Sequence, residues 1–202
     1  MSRLTIIVAA TTSNGIGVGG RLPWRLPKEM RYFAKVTSQA PEGKRNAVLM
    51  GRNTWESIPK KFRPLPNRLN VVISRNKEYA LYVAFFIPQT VLSSVRDGQA
   101  VLAPNFEGAL AATEQDDVHR NFIIGGAQLY TETLSLADRV LMTRIVSPAF
   151  EECDVKMPDF LALGHWRQAS HKELETWVGF DVVEGEKEEN GVRYEFQMWV
   201  RE

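Results

Sequence analysis

Among the residues of this sequence, Glu29 is the one best suited to chemistry. In a helix opened by Pro27, the side chains at i−3, i+4 and i+7 from it are Leu26, Phe33 and Val36, so its carboxylate lies on an apolar stripe. Lys28, Arg31 and Lys35 take other faces. Burial raises the pKa of a carboxyl group and lets it hold or relay a proton near neutral pH. The positive end of the helix acts in the opposite sense, and a first-turn Glu that simply complements the helix dipole is the plainer alternative.

Two glycine segments come next. Gly15-Ile-Gly-Val-Gly-Gly20 spells G-x-G-x-x-G, but Pro23 and Pro27 follow where a dinucleotide fingerprint requires a continuous helix. The segment reads instead as a flexible loop whose bare backbone approaches a flat ligand, with Trp24 as a lid or as a core residue. Phe122-Ile-Ile-Gly-Gly126, running into Ala127-Gln-Leu-Tyr130, reads as a strand, a side-chain-free turn and a helix start that can receive a pyrophosphate, or as a tight turn and no more. Val48 to Trp55 and Val71 to Arg75 likewise set small polar groups and a basic side chain beyond a strand's carboxyl end. Arg52 and Arg75 with Ser74 suit a 2′-phosphate, although a single Arg is more often a solvated surface residue. His119, His165 and His171 lack metal-ligand spacing, so no metal is expected and nucleophilic or metal chemistry is disfavoured.

The elements that must carry these residues are short apolar runs, Leu4 to Ala10, Ala47 to Met50, Leu69 to Ile73, Phe122 to Ile124 and Val140 to Ile145. Most are apolar on both faces, as in strands covered by helices on both sides. Helices are expected at about Pro27 to Ser38, Thr54 to Ile58, Phe106 to Glu114 and Gln128 to Leu134. From Gly191 to Val200 the pattern alternates, and Asn190-Gly191 suits a type I′ turn, so the carboxyl end adds antiparallel strands. Asn76 to Ala103, with the apolar run Leu81 to Leu92, reads as a strand plus a long surface connection.

At 202 residues, 44% hydrophobic, the chain fits one α/β domain spanning 1–202. Its 25 Lys and Arg against 24 Asp and Glu leave a net charge of +1, so no basic field draws it onto nucleic acid or lipid. The single cysteine, Cys153, excludes an internal disulfide framework and points to a reducing, intracellular setting. The N-terminal apolar run reads as a buried strand, and no run reaches the roughly 20 residues of a membrane helix.

Taken together, the motifs resemble the dihydrofolate reductase family. Ile7-Val-Ala9, Asn14-Gly-Ile-Gly17, Leu22-Pro-Trp24, Glu29 with Phe33, Met50-Gly-Arg-Asn-Thr-Trp55, Ser57-Ile-Pro59, Arg63-Pro-Leu65, Arg68, Ile73-Ser-Arg75, Ile123-Ile-Gly-Gly126, Tyr130 and Thr143-Arg144 stand in its order and rough spacing over nearly the whole chain. The length and the ending Tyr194 to Trp199 resemble a eukaryotic, fungal member. The resemblance implies a predominantly parallel sheet of about eight strands with an antiparallel C-terminal strand and helices on both faces. It implies NADPH-dependent reduction of dihydrofolate to tetrahydrofolate for one-carbon metabolism, by a cytoplasmic monomer open to antifolate inhibitors.

Carried over residue by residue, the resemblance implies that Glu29, Trp24 and Thr143 serve catalysis, with Glu29 gripping the 2-amino group and N3 of the pterin. Ile7, Val8, Ala9, Leu22, Met30, Phe33, Ser57, Ile58, Pro59, Leu65, Ile124 and Tyr130 would line the substrate pocket, and Arg68 would pair with the α-carboxylate of the glutamate tail. Ala9, Ile16, Gly17, Gly20, Arg21, Arg52, Asn53, Thr54, Ser74, Arg75, Asn76, Gly125, Gly126, Ala127, Gln128, Leu129 and Tyr130 would hold NADPH, with a cis bond between Gly125 and Gly126. Met30 stands where vertebrate members usually carry Phe, and Pro104 where a further basic residue is often found. Two alternatives are another reductase of the same fold acting on a pyrimidine, which would need neither Glu29 nor Arg68, and a catalytically silent folate- or nucleotide-binding module.

Overall fold

Successive residues of the central strands feed two different cores. Leu4, Ile6, Val8 and Ala10 pack on one side of the sheet with Leu49, Val71, Ile123 and Met142, whereas Ile7 joins Val48, Met50, Val72, Phe122 and Leu141 on the other. That is the period-two consequence of strands buried on both faces. The computed structural model describes residues 4–76, 78–81 and 99–202.

In chain order the elements are β1 (Leu4–Thr11), β2 (Gly15–Gly17), α1 (Pro27–Ser38), β3 (Arg45–Gly51), α2 (Arg52–Ser57), a 3-10 turn (Lys60–Phe62), β4 (Arg68–Ile73), β5 (Gln99–Ala103), α3 (Phe106–Ala112), β6 (Val118–Gly125), α4 (Ala127–Thr133), β7 (Arg139–Ser147), β8 (Val155–Lys156), a second 3-10 turn (Leu161–Leu163), β9 (Trp166–Gln168), α5 (His171–Val178), β10 (Lys187–Glu189) and β11 (Val192–Arg201). The sheet runs β10-β11-β7-β1-β6-β3-β4-β5, with β9 beside β11 and a separate β2–β8 pair. From β7 across to β5 all pairings are parallel; β11 is antiparallel to β7, β10 and β9. The expected sheet is therefore present, with the short β9 as an extra strand.

Residues of α3 and α4 (Phe106, Ala109, Leu129, Tyr130) belong to the first core, and those of α1, α2 and α5 (Val36, Trp55, Leu174, Val178) to the second. Local signals set several boundaries. Ser170 and Glu173 form a reciprocal capping box at the start of α5, and Gly179 ends it at φ 80°. Asn190 and Gly191, at φ 53° and 74°, make the β10–β11 turn, as the left-handed pair of a type I′ hairpin requires.

Two expectations shift. The second helix starts at Arg52 rather than Thr54, because extended Gly51 serves as its N-cap, so Arg52, Asn53 and Thr54 lie in a helical first turn. The third ends at Ala112, where the Thr113 amide folds back onto the Leu110 and Ala111 carbonyls. A strand stands at the end of the 76–103 stretch, as β5, while Leu81 to Leu92 lies outside the described residues except for Leu81. Among the described residues no helix is long and apolar enough to cross a membrane.

Candidate active site

The first turn of α1 puts a carboxyl group in the interior. Leu26 at the N-cap offers no capping side chain, Pro27 follows, and Glu29 is only 7% exposed. Across the interior gap, Thr143 of β7 lies in register with Ala9 of β1 and Phe196 of β11, and its hydroxyl donates to Glu29 Oε1 at 3.1 Å. Burial raises the Glu29 pKa to about 7; the Thr143 bond opposes this and the negative charge of Glu189 adds to it. The buried phenols of Tyr32 and Tyr130 are pushed up as well, chiefly by burial. An acid that titrates near neutrality is thus present where the sequence pattern expects one.

Beside it the sheet opens. β1 pairs with β6 only from Leu4–Ile6 to Asn121–Ile123, and beyond that β6 continues along β3 to Gly125. Leu49 faces Ile123 and Met50 faces Gly125, so Ile124 is the extra residue of an irregularity in the ladder. The Gly125–Gly126 peptide is cis, and Gly125 sits at φ 128°, a backbone region that favours glycine. A Cβ there would stand 3.2 Å from Thr54 Oγ1 and 3.4 Å from the Tyr130 hydroxyl; one on Gly51 would lie 3.9 Å from both Gly125 O and Gly126 N. Tyr130 in turn donates to the Ile7 carbonyl at 3.1 Å. Bare backbone therefore lines a crevice at the carboxyl ends of adjacent parallel strands, the usual ligand position in open α/β sheets.

A buried cation closes the other end of α1. Arg68, 4% exposed, donates from Nη1 to Thr37 Oγ1 at 2.6 Å and from Nε to Pro66 O at 3.0 Å. Burial lowers its pKa to about 10, so it stays charged at neutral pH, and no carboxylate among the described residues pairs with it. Thr37 is fixed by its own bond to Phe33 O at 2.7 Å, and Asn46 Nδ2 takes the carbonyls of Thr37 and Gln39. Asn70 clamps Leu65 through both its amide nitrogen and its carbonyl, each at 2.9 Å. Sequence reasoning passed over Thr37, Asn46 and Asn70. For Asn70 the signal was a polar side chain inside an otherwise apolar run, which marks a buried group with a partner to serve.

A family model described as dihydrofolate reductase matches residues 3–201. The chain belongs to the dihydrofolate reductase family. It is 42% identical to a dihydrofolate reductase of Cryptococcus neoformans var. neoformans serotype D, over 98% of this chain and 94% of that one. It is 41% identical to that of Pneumocystis carinii, over 98% and 97%. A solved Schistosoma mansoni dihydrofolate reductase superposes with a TM-score of 0.75 at 32% identity, covering 100% of this chain and 99% of that one. The expected family and its fungal affinity are borne out, and the chain is an oxidoreductase whose family implies a nicotinamide cofactor.

As a dihydrofolate reductase, the chain has a glycine loop that is more tightly tied than a flexible-loop reading allows. β2 pairs with β8, Gly19 N donates to Asp154 Oδ2 at 3.1 Å, Met157 N to Asn14 O at 2.8 Å, and Asp154 N to Gly17 O at 3.1 Å. Arg144 Nη1 reaches Thr11 O and Asn14 Oδ1. Gly15 is packed on Cys153, whose Cβ would be 2.6 Å from any added Cβ. Trp24 takes the core alternative: it is 6% exposed in a cluster with Leu26, Ile145, Cys153 and Tyr194, edge-on to Phe150. Ile7, Val8, Glu29, Arg68, Tyr130 and Thr143 are buried; Ala9, Phe33, Ile58, Leu65 and Ile124 are half-buried; Leu22, Met30, Ser57 and Pro59 are exposed. Of the candidate cofactor residues, Gly17, Ser74, Gly125 and Leu129 are buried, Ile16, Thr54, Gly126 and Ala127 half-buried, and Gly20, Arg21, Arg52, Asn53, Arg75, Asn76 and Gln128 exposed. Gly51 and Ile73 are register partners, so the Arg52 and Ser74–Arg75 segments leave neighbouring strand ends together.

Proposed function

We propose that this chain reduces dihydrofolate to tetrahydrofolate in the crevice beside α1, with Glu29 holding the pterin and NADPH as the reductant. The observation that carries the reading is the placing of a neutral-range acid and a buried cation, without a carboxylate partner among the described residues, at opposite ends of one helix. Glu29 and Thr37, the anchor of Arg68, are eight residues apart, or about 12 Å along the helix axis. That span suits a ligand with a flat amidine-edged ring at one end and a carboxylate at the other.

Glu29, steadied by Thr143, grips the 2-amino group and N3 of the pterin through paired hydrogen bonds and supports the protonation of N5 through a bound water. Ile7, Val8, Phe33, Ile58, Leu65 and Ile124 keep the ring dry, and Arg68 takes the α-carboxylate of the tail. When bound, the reduced nicotinamide supplies the hydride to C6. The bare Gly51, Gly125 and Gly126 backbones fit such a group, since any side chain at Gly125 would press on Thr54 and Tyr130. Ser74, with exposed Arg52 and Arg75 on adjoining strand ends, suits a 2′-phosphate and hence NADPH. The same reading has the chain act as a cytoplasmic monomer, with antifolates competing for the pterin crevice.

The test is loss of NADPH absorbance on adding dihydrofolate, repeated with NADH. Turnover with NADPH and a kcat/KM for NADH lower by about tenfold or more is expected. Equal values would overturn the cofactor preference, and no loss with either would overturn the enzyme reading.

A further inference from the structure

We infer that Glu189, on the hairpin that joins β10 to β11, is a positioning residue for this reaction: its carboxylate closes the N-terminus of α1 one residue ahead of Glu29 and sets a second negative charge beside it. The inference rests on the reading of Glu29 as the proton-holding group.

The start of α1 lacks a local cap. Leu26 has no polar side chain to offer, Pro27 has no N–H, and the Met30 amide already bonds to Leu26 O at 2.9 Å. The free Lys28 amide is taken from 161 residues away, by both oxygens of Glu189 at 2.9 and 3.1 Å. Asn190 secures the same hairpin by donating from Nδ2 to Arg25 O at 2.7 Å. The left-handed turn at Asn190 and Gly191 and the register of Glu189 with Val192 aim the carboxylate at the helix.

A bare helix N-terminus carries roughly half a positive charge and favours ionisation of a first-turn acid. A carboxylate seated on the first free amide offsets that field and repels a second charge on Glu29. The Glu189 charge does raise the Glu29 pKa, after burial and against the Thr143 bond. The other groups facing Glu29 are Tyr32 of α1, Tyr130 of α4 and Tyr194 of β11, all phenols held neutral by burial. Arg144 of β7 turns away to Thr11 and Asn14; Lys28 and Arg31 are on exposed positions of α1, and Lys187 of β10 stands over the Phe196 ring.

The experiment is the pH profile of dihydrofolate reduction by the protein and its Glu189→Gln, Glu189→Asp and Glu29→Gln variants. Gln keeps an acceptor for the Lys28 amide while removing the charge. Glu189→Gln is expected to move the alkaline fall of activity about 0.3–0.5 pH unit lower, a two- to threefold loss at pH 8 with an unchanged plateau at low pH. Glu189→Asp should restore the wild-type position. A merely structural cap would instead lower both ends of the profile equally, and that result overturns the inference. So does a Glu189→Gln profile that superimposes on wild type while Glu29→Gln has lost the fall. If the fall survives in Glu29→Gln, the reading of Glu29 fails and takes this inference with it.

Discussion

The two ends of α1 bury one ionisable group each, with opposite consequences. At the N-terminal end, burial lifts Glu29 from 4.5 to about 7, so the group changes charge within the working range of a cell. At the C-terminal end, burial lowers Arg68 from the ordinary arginine range to about 10, which still leaves it a permanent cation at neutral pH. The same desolvation penalty therefore makes a proton carrier of one group and a fixed anchor of the other, because their ordinary pKa values lie at different distances from 7. Glu29 has one neutral hydroxyl to lean on, whereas Arg68 has Thr37 and the Pro66 carbonyl but no counterion among the described residues.

Removing the proton carrier is the largest way to break this contrast. Glu29→Gln should lower turnover at pH 7 by roughly 10²-fold or more, the usual range for a lost acid–base group, and keep NADPH binding. Steady-state rates beside a fluorescence titration with NADPH would measure it, and wild-type rates would reject the assignment. The same variant tests the energetics. A carboxyl group whose folded pKa is raised has its charged form penalised by the fold. Stability associated with Glu29 is therefore full below about pH 4.5, falls as pH rises towards 7 and stays reduced above it, by about 3 kcal/mol in all. Glu29→Gln should flatten that slope, giving a higher unfolding midpoint than wild type at pH 8 but not at pH 4.

Next in size, Arg68→Leu should raise the KM for dihydrofolate by about 10- to 100-fold, the cost of a charge-assisted pair, and leave a tail-less dihydropterin nearly unaffected. Equal losses for the two substrates would remove Arg68 from the tail. The smallest effect is expected from Thr143→Val. The Thr143 bond lowers the Glu29 pKa, so its loss should move the alkaline fall of activity to higher pH by a few tenths of a unit, opposite in sign to Glu189→Gln. A shift downwards would mean that the hydroxyl does not stabilise the charged carboxylate.

Much of this was legible in the chain itself. The strand runs were found where β1, β3, β4, β6 and β7 stand, and Pro27 to Ser38 matched α1 at both ends, since proline at the first position and the apolar stripe are local signals. The cis Gly125–Gly126 bond followed from the family resemblance. Trp24 was ambiguous because a loop tryptophan beside glycines reads equally as lid or core until its neighbours are known. The partners of Thr37 in α1 and of Asn46 and Asn70 in strands were not legible, because a polar residue meets its partner only when those elements are placed.

Sequence alone thus determined which groups are available: an acid on an apolar helix stripe, a basic residue opening a strand, glycines where strands end, and the family to which they belong. Tertiary structure decided their charge states and their company. Desolvation, the seating of Glu189 on a helix 161 residues distant, and the pinning of the glycine loop by β8 and Asp154 all arise between segments remote in the chain. Electrostatic and packing energies depend on distances in space, which no local pattern of residues encodes.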